Sequence, residues 1–153
     1  MITRITVKAI IIKNNQLLLV KHIHPEKKYE WWAFPGGGVD DKETIFETVV
    51  REVWEETGLR VKAGKIRFIR QFIDSLDQQN NLELFVSVHI LDGKETINNI
   101  YGKGEDENYI KELKYFSKAE LGKIRMLPRI KIEKIFSEQE IEFLGIDRND
   151  FER

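Results

Sequence analysis

The chain has 153 residues, enough for one ordinary domain and too few for two. Hydrophobic residues make up 41% and aromatic ones 10%, a composition that builds a core and excludes an intrinsically disordered chain. Lys plus Arg number 25 against 26 Asp plus Glu, which excludes a strongly basic face for duplex nucleic acid or an anionic membrane; the absence of cysteine excludes disulfides, thiolate metal sites and cysteine nucleophiles.

Residues 1–153 therefore read as a single domain. The N-terminus alternates apolar and polar residues where a signal peptide needs a continuous apolar run. The longest apolar stretches, residues 9–12 and 17–20, fall far short of the ~20 residues of a membrane helix. A soluble, cytoplasmic protein is expected.

Two strands are expected over residues 5–12 and 16–20, joined at Asn14 and Asn15, which tolerate the positive φ of a hairpin turn. Trp31, Trp32, Ala33 and Phe34 form a short apolar run, with Trp32 expected in the core. Pro35 and Gly36 to Gly38 break it into a loop. From about Glu43 to Thr57 the period becomes helical, with Ile45, Phe46, Val49, Val50, Val53 and Trp54 as the expected buried stripe. Gly58 is a natural stop. Strands are expected over 61–74 and 82–91 around a polar turn at 78–81, then a surface loop over 93–108 and a strand over 113–116. Ser117 is placed to cap a brief helix. Ser137, Glu138, Gln139 and Glu140 have capping-box spacing, which predicts a C-terminal helix ending near Gly145. The sum is an α/β chain of the mixed α+β kind, layered helix–sheet–helix.

The chemistry concentrates between Gly37 and Leu59. On a helix, Glu52, Glu55 and Glu56 fall within a roughly 100° arc beside the apolar stripe. Lys and Arg are scarce on that arc, so the carboxylates repel one another unless a cation joins them. Clustered carboxylate oxygens suit a hard divalent ion such as Mg²⁺, whose shell is completed by water and substrate phosphates. The preceding glycines let the backbone pass close to a ligand.

Gly37, Glu43 and the run Arg51-Glu52-Val53-Trp54-Glu55-Glu56-Thr57-Gly58-Leu59 match the Nudix box, G-x5-E-x7-R-E-U-x-E-E-x-G-U with U apolar, at every fixed position. The lead-in from Trp32 to Gly37 and the segment 112–121 also resemble that family. The resemblance implies a Nudix-type sandwich and a pyrophosphohydrolase that uses Mg²⁺ or Mn²⁺ to cleave the diphosphate linkage of a nucleoside diphosphate derivative. It implies Glu52, Glu55 and Glu56 as metal carboxylates, a Gly36 carbonyl in the metal shell, and Glu52 also orienting or deprotonating water. Gly37, Glu43 and Arg51 would support the box. A general base from a distant loop falls on Glu105 or Glu107.

Asp40 and Lys42 depart from common family choices, and neither of two subgroup markers is present at residues 74–77. Nucleoside triphosphates and nucleotide sugars are the favoured small-molecule partners. A ligand-sensing domain without catalysis is the alternative, and an isomerase of the same fold fails for want of its cysteine. Arg4, Lys21, Trp31 and Tyr101 are candidate substrate contacts. His22 and His24 are expected on the surface and His89 within the structure. Monomer and homodimer both remain open.

Overall fold

The structure, a computed structural model, describes residues 2–24, 26–75, 78–100 and 110–148. Tyr101, Glu105 and Glu107 lie outside the described residues. In chain order the elements are β1 (Ile2–Ile10), β2 (Ile12–Lys13), β3 (Gln16–Ile23), β4 (Glu30–Ala33), β5 (Gly36–Gly38), α1 (Ile45–Thr57), β6 (Leu59–Asp74) and β7 (Gln79–Gly93). They are followed by β8 (Ile110–Phe116), α2 (Lys118–Leu121), β9 (Met126–Leu127), α3 (Ile132–Phe136) and β10 (Glu142–Arg148).

These strands make two mixed five-stranded sheets. The first has the order β10-β6-β7-β1-β5; the second follows β2-β3-β4-β9, with β8 paired to β3. Asn14 and Asn15 turn from β2 into β3 with φ of 51° and 60°, as their side-chain tolerance predicts.

Register divides the first sheet into two faces. Val7, Ala9 and Val86 point outward and pack on Val49 and Val53 of α1. Ile10, Phe68 and Phe85 point inward onto Leu17, Leu19 and Phe116 of the second sheet, where Leu121 of α2 and Ile135 of α3 also pack. Phe34 and Phe68 both meet Phe85 edge-on, at ring separations of 5.3 and 6.3 Å. Trp32 sits at the edge of this core, its ring 4.7 Å from Phe116.

Three expectations are corrected. The helix predicted from Ser137 to Gly145 is absent. The helical turn comes earlier, in α3, and Arg67 ends it by donating to the carbonyls of Lys134 and Ser137. The chain then pairs in parallel with β6, sending Leu144 into the core, and Gly145 takes φ 102° at the irregularity between Phe143 and Ile146. A sheet edge more than 60 residues away thus outweighs a local capping pattern.

Secondly, Phe46, Val50 and Trp54 are exposed, although α1 is the expected helix. Its buried stripe is Thr48, Val49, Glu52, Val53, Glu56 and Thr57, so polar residues hold four of six positions. Thr48 and Thr57 satisfy their hydroxyls on the backbone carbonyls of Thr44 and Val53, which makes them tolerable there.

Thirdly, the histidines exchange places. His22 is buried and stacks on Trp31 at 5.1 Å, whereas His89 is exposed near the end of β7. His24 Nδ1 accepts from the amides of Glu26 and Lys27, tying a turn.

Gly58 ends α1 in the left-handed region at φ 77°, where a Cβ would lie 2.5 Å from the Lys94 carbonyl oxygen. Gly58→Ala is expected to lose about 1–2 kcal/mol or more of stability in denaturant unfolding. Gly122→Ala, in right-handed geometry with space around it, should stay within about 0.5 kcal/mol of the parent.

Candidate active site

The site is assembled by α1 against the edge strand β5. Thr44 caps the helix through a reciprocal capping box with Glu47, so helical geometry begins one residue after the cap. Glu43 is thereby left outside the helix, free to receive Arg51 from two turns along. Arg51 Nε and Nη2 grip the Glu43 carboxylate at 2.8 and 2.9 Å, and the Thr48 hydroxyl, shared between this carboxylate and the Thr44 carbonyl, lies 3.2 Å from it. Asp40 stands 3.5 Å from Arg51 on the loop.

Arg51 also turns inward, its Nη1 lying 3.0 Å from Glu52 and 3.2 Å from Glu55. The acidic arc therefore carries a guanidinium of its own, which corrects the expectation that positive charge is scarce there. A single arginine ties the loop to the helix and orients two of the three candidate metal carboxylates.

Glu52 and Glu56 are buried, with side-chain exposure of only 8% for Glu52. Glu56 accepts from the Gly36 amide at 3.2 Å. Burial first, and the neighbouring Glu52 charge second, hold the Glu56 carboxyl well above the usual carboxylate range; Lys8 opposes them. Glycine is required beside these groups by space. A Cβ on Gly37 would sit 2.5 Å from Glu52 Oε1, and one on Gly36 would sit 1.9 Å from the Val7 carbonyl oxygen. Backbone thus approaches carboxylate as closely as geometry allows.

The structure brings together Gly36, Gly37, Glu43, Arg51, Glu52, Glu55 and Glu56. Among the described residues no three His, Asp or Glu side chains converge as a ready metal cage, and Glu55 accepts from Arg51. Arg4 reaches the same edge strand, with Nη2 2.6 Å from where a Gly38 Cβ would stand. Lys21 is engaged elsewhere, in ion pairs with Glu30 at 3.0 Å and Glu112 at 3.8 Å. Trp31 is a packing residue, buried against His22 and Tyr29 rather than offering an open ring face. Lys8 was missed by the sequence reading; the polar alternation Arg4, Thr6, Lys8 along β1 is the signal that marks it.

The Arg51 contact depresses the Glu43 pKa. A depressed carboxylate contributes stability above its unfolded value, and that contribution disappears as pH falls through the folded one. Glu43→Gln should therefore cost about 1–3 kcal/mol at pH 7, with the gap to the parent closing below about pH 4, as read by urea unfolding across pH.

Comparison with known proteins identifies the family. A family model described as the NUDIX domain matches residues 2–135. An ADP-ribose pyrophosphatase of Methanocaldococcus jannaschii is 38% identical over 88 residues, which is 58% of this chain and 50% of that protein. An 8-oxo-dGTP diphosphatase of Buchnera aphidicola is 36% identical over 62 residues, 40% of this chain and 46% of that one. The chain thus spans about half the length of these curated relatives. Among solved structures, a mutator MutT protein of Bacillus halodurans superposes with a TM-score of 0.70 at 20% identity, over 97% of this chain and 92% of that one. A UDP-X diphosphatase gives 0.68 at 20% identity, over 93% and 68%. With the box geometry and a family model covering most of its length, the chain belongs to the Nudix family.

Proposed function

We propose that this protein is a metal-dependent pyrophosphohydrolase that cleaves the diphosphate linkage of a nucleoside diphosphate derivative. Nucleoside triphosphates and nucleotide sugars are the favoured classes, and ADP-ribose belongs in the same test. The observation that carries the reading is the burial of Glu52 and Glu56 side by side against a three-glycine edge strand. Two adjacent carboxylates removed from water are unfavourable unless a proton or a cation joins them.

Nudix hydrolases generally use divalent metal ions. The donor set here fits one: hard carboxylate oxygens on Glu52 and Glu56, with Glu55 held by Arg51 on the same helix and the Gly36 backbone beside Glu56. Mg²⁺, or Mn²⁺ in its place, would supply charge neutralisation on the diphosphate oxygens and a more acidic bound water. The residues of the chain supply placement. Arg51 fixes the direction of Glu52 and Glu55, and Gly37 allows Glu52 to lie against the backbone. Arg4 and Lys8 bring positive charge to the strand that borders the site. Glu105 and Glu107 stay candidates for the general base, and Glu52 for orienting the attacking water.

The test is a hydrolysis screen with Mg²⁺ and with Mn²⁺ over nucleoside triphosphates, nucleotide sugars, ADP-ribose and diadenosine polyphosphates. Metal-dependent release of a nucleoside monophosphate is expected from one class. Nucleotide binding without turnover would instead favour a ligand-sensing role.

Glu56→Gln keeps an acceptor for the Gly36 amide while removing the charge. It should abolish turnover, and in chelator at pH 8 it should unfold at a temperature on the order of 2–4 °C above the parent. The sign follows from the raised pKa: above about pH 4.5 the unfolded Glu56 ionises while the folded one resists, so the parent loses stability as pH rises. The variant has no such loss, and the two melting curves should converge near pH 4.

A further inference from the structure

Helix α1 covers part of the outer face of the first sheet and leaves the rest apolar and exposed. Val49 and Val53 pack on Val7, Ala9 and Val86. Beyond the helix, register sets Ile5, Leu82, Gln71 and Ile146 in one outward row across β1, β7, β6 and β10. Val7, Leu84, Ile69 and Phe143 form the row beside it. Neither row holds a charged residue, and Ile5, Leu82, Phe143 and Ile146 are all exposed, Phe143 at 60%.

The helix adds to this surface. Its apolar stripe of Phe46, Val50 and Trp54 is exposed, and two grooves follow it. One, of about 590 Å³, lies between Phe46, Ile66 and Ile141; the other, of about 550 Å³, lies between Val50, Trp54, Val61 and Leu91. Among the described residues, all the exposed large hydrophobic side chains except Ile2 and Ile12 border these rows and grooves. Half-exposed side chains of about 200 Å² each make Ile5, Phe46, Leu82, Ile141, Phe143 and Ile146 together worth on the order of 600 Å². That is at the upper limit for an apolar patch on a monomer, and most of the roughly 800 Å² that each partner gives to a standard interface.

We infer that this surface is an interface between two copies of the chain, with the Phe46–Val50–Trp54 stripe of each lying against the exposed rows of the other. A partly covered sheet face is completed by a second amphipathic helix beside the first, and α1 has an unburied apolar stripe to give. Because stripe and face belong to one chain, a two-fold axis satisfies both at once and closes the assembly at two copies. The uncharged rows bring no like charges together across that axis, and they offer no counter-charge to a phosphate. Glu47, Glu138 and Glu140, set against Lys65, border the surface and oppose an anionic membrane. The contact braces α1 on the far side from Glu52 and Glu56, and it stands independently of the hydrolase reading.

Sedimentation equilibrium on the whole chain should give a dimer at about 50 μM, above the micromolar limit for interfaces of this size. Dilution should move tryptophan emission to the red in the parent and not in Trp54→Phe, since Trp54 is the exposed indole. Phe143→Asp and Ile146→Lys alter side chains already exposed in the single chain, so both should keep the parent circular dichroism while weakening the dimer at least about tenfold. Ile12→Lys, on the second sheet, should leave the dimer intact. The chain has no cysteine, so mixed single-cysteine variants report the pairing directly. Val50→Cys with Phe143→Cys should cross-link on oxidation faster than Val50→Cys with Ile12→Cys, and equal rates overturn the inference. A parent that stays monomeric overturns it, as does a dimer broken by Ile12→Lys and untouched by Phe143→Asp and Ile146→Lys. A monomer that instead co-sediments with phosphatidylcholine vesicles gives the face to a lipid surface and equally overturns it.

Discussion

Two carboxylates buried side by side set the terms for everything around them. Glu52 and Glu56 occupy inward positions of α1 that an ordinary amphipathic helix gives to leucine or valine. Burial, and then their proximity, raises the proton affinity of Glu56, and the surrounding residues limit the penalty in different ways. The Gly36 amide donates to Glu56, Arg51 neutralises Glu52 from the side, and Lys8 acts on Glu56 from β1. Each of these needs a specific backbone approach. The glycines of β5, the cap at Thr44 and the Arg51–Glu43 grip all keep the edge strand and helix in contact.

That arrangement explains which parts of the fold were legible in the sequence. The box was legible because its partners lie within two helical turns or one short loop. Glu43 and Arg51 are eight residues apart, and their pairing was implied by the family resemblance, since the helix itself begins only after Glu43. The Asn14–Asn15 turn and the Ser117 cap are local in the same sense, and the structure has both. The exposed side of α1 was misread because period alone shows two apolar arcs and does not say which one the sheet covers. Val49 and Val53 share the covered arc with acids and threonines, while Phe46, Val50 and Trp54 form the purer apolar stripe and face solvent.

Long-range pairing was the illegible part. Nothing local in residues 142–148 announces a parallel partner in β6, and the bulge at Gly145 obscures the alternation that a strand would show. The buried polar residues of the inner face were invisible for the same reason. Thr6, Asn81 and Arg70 are unremarkable polar residues in three separate strands, and only register sets them in adjacent rows. Gly37 admits Glu52 on one face of the edge strand, while Gly38 faces Arg4 on the other.

The parallel pairing of β10 with β6 has a consequence for how the chain is made. During synthesis β6, β7 and β1 can associate early, but the outer edge of β6 stays open until β10 emerges some 70 residues later. Over that interval Arg70 already has Glu83 as a counter-charge, while its second partner, Asp147, arrives only with β10. The buried arginine is thus charge-matched in the incomplete sheet, and over that interval the outer edge of β6 is open to pairing with a strand from another molecule.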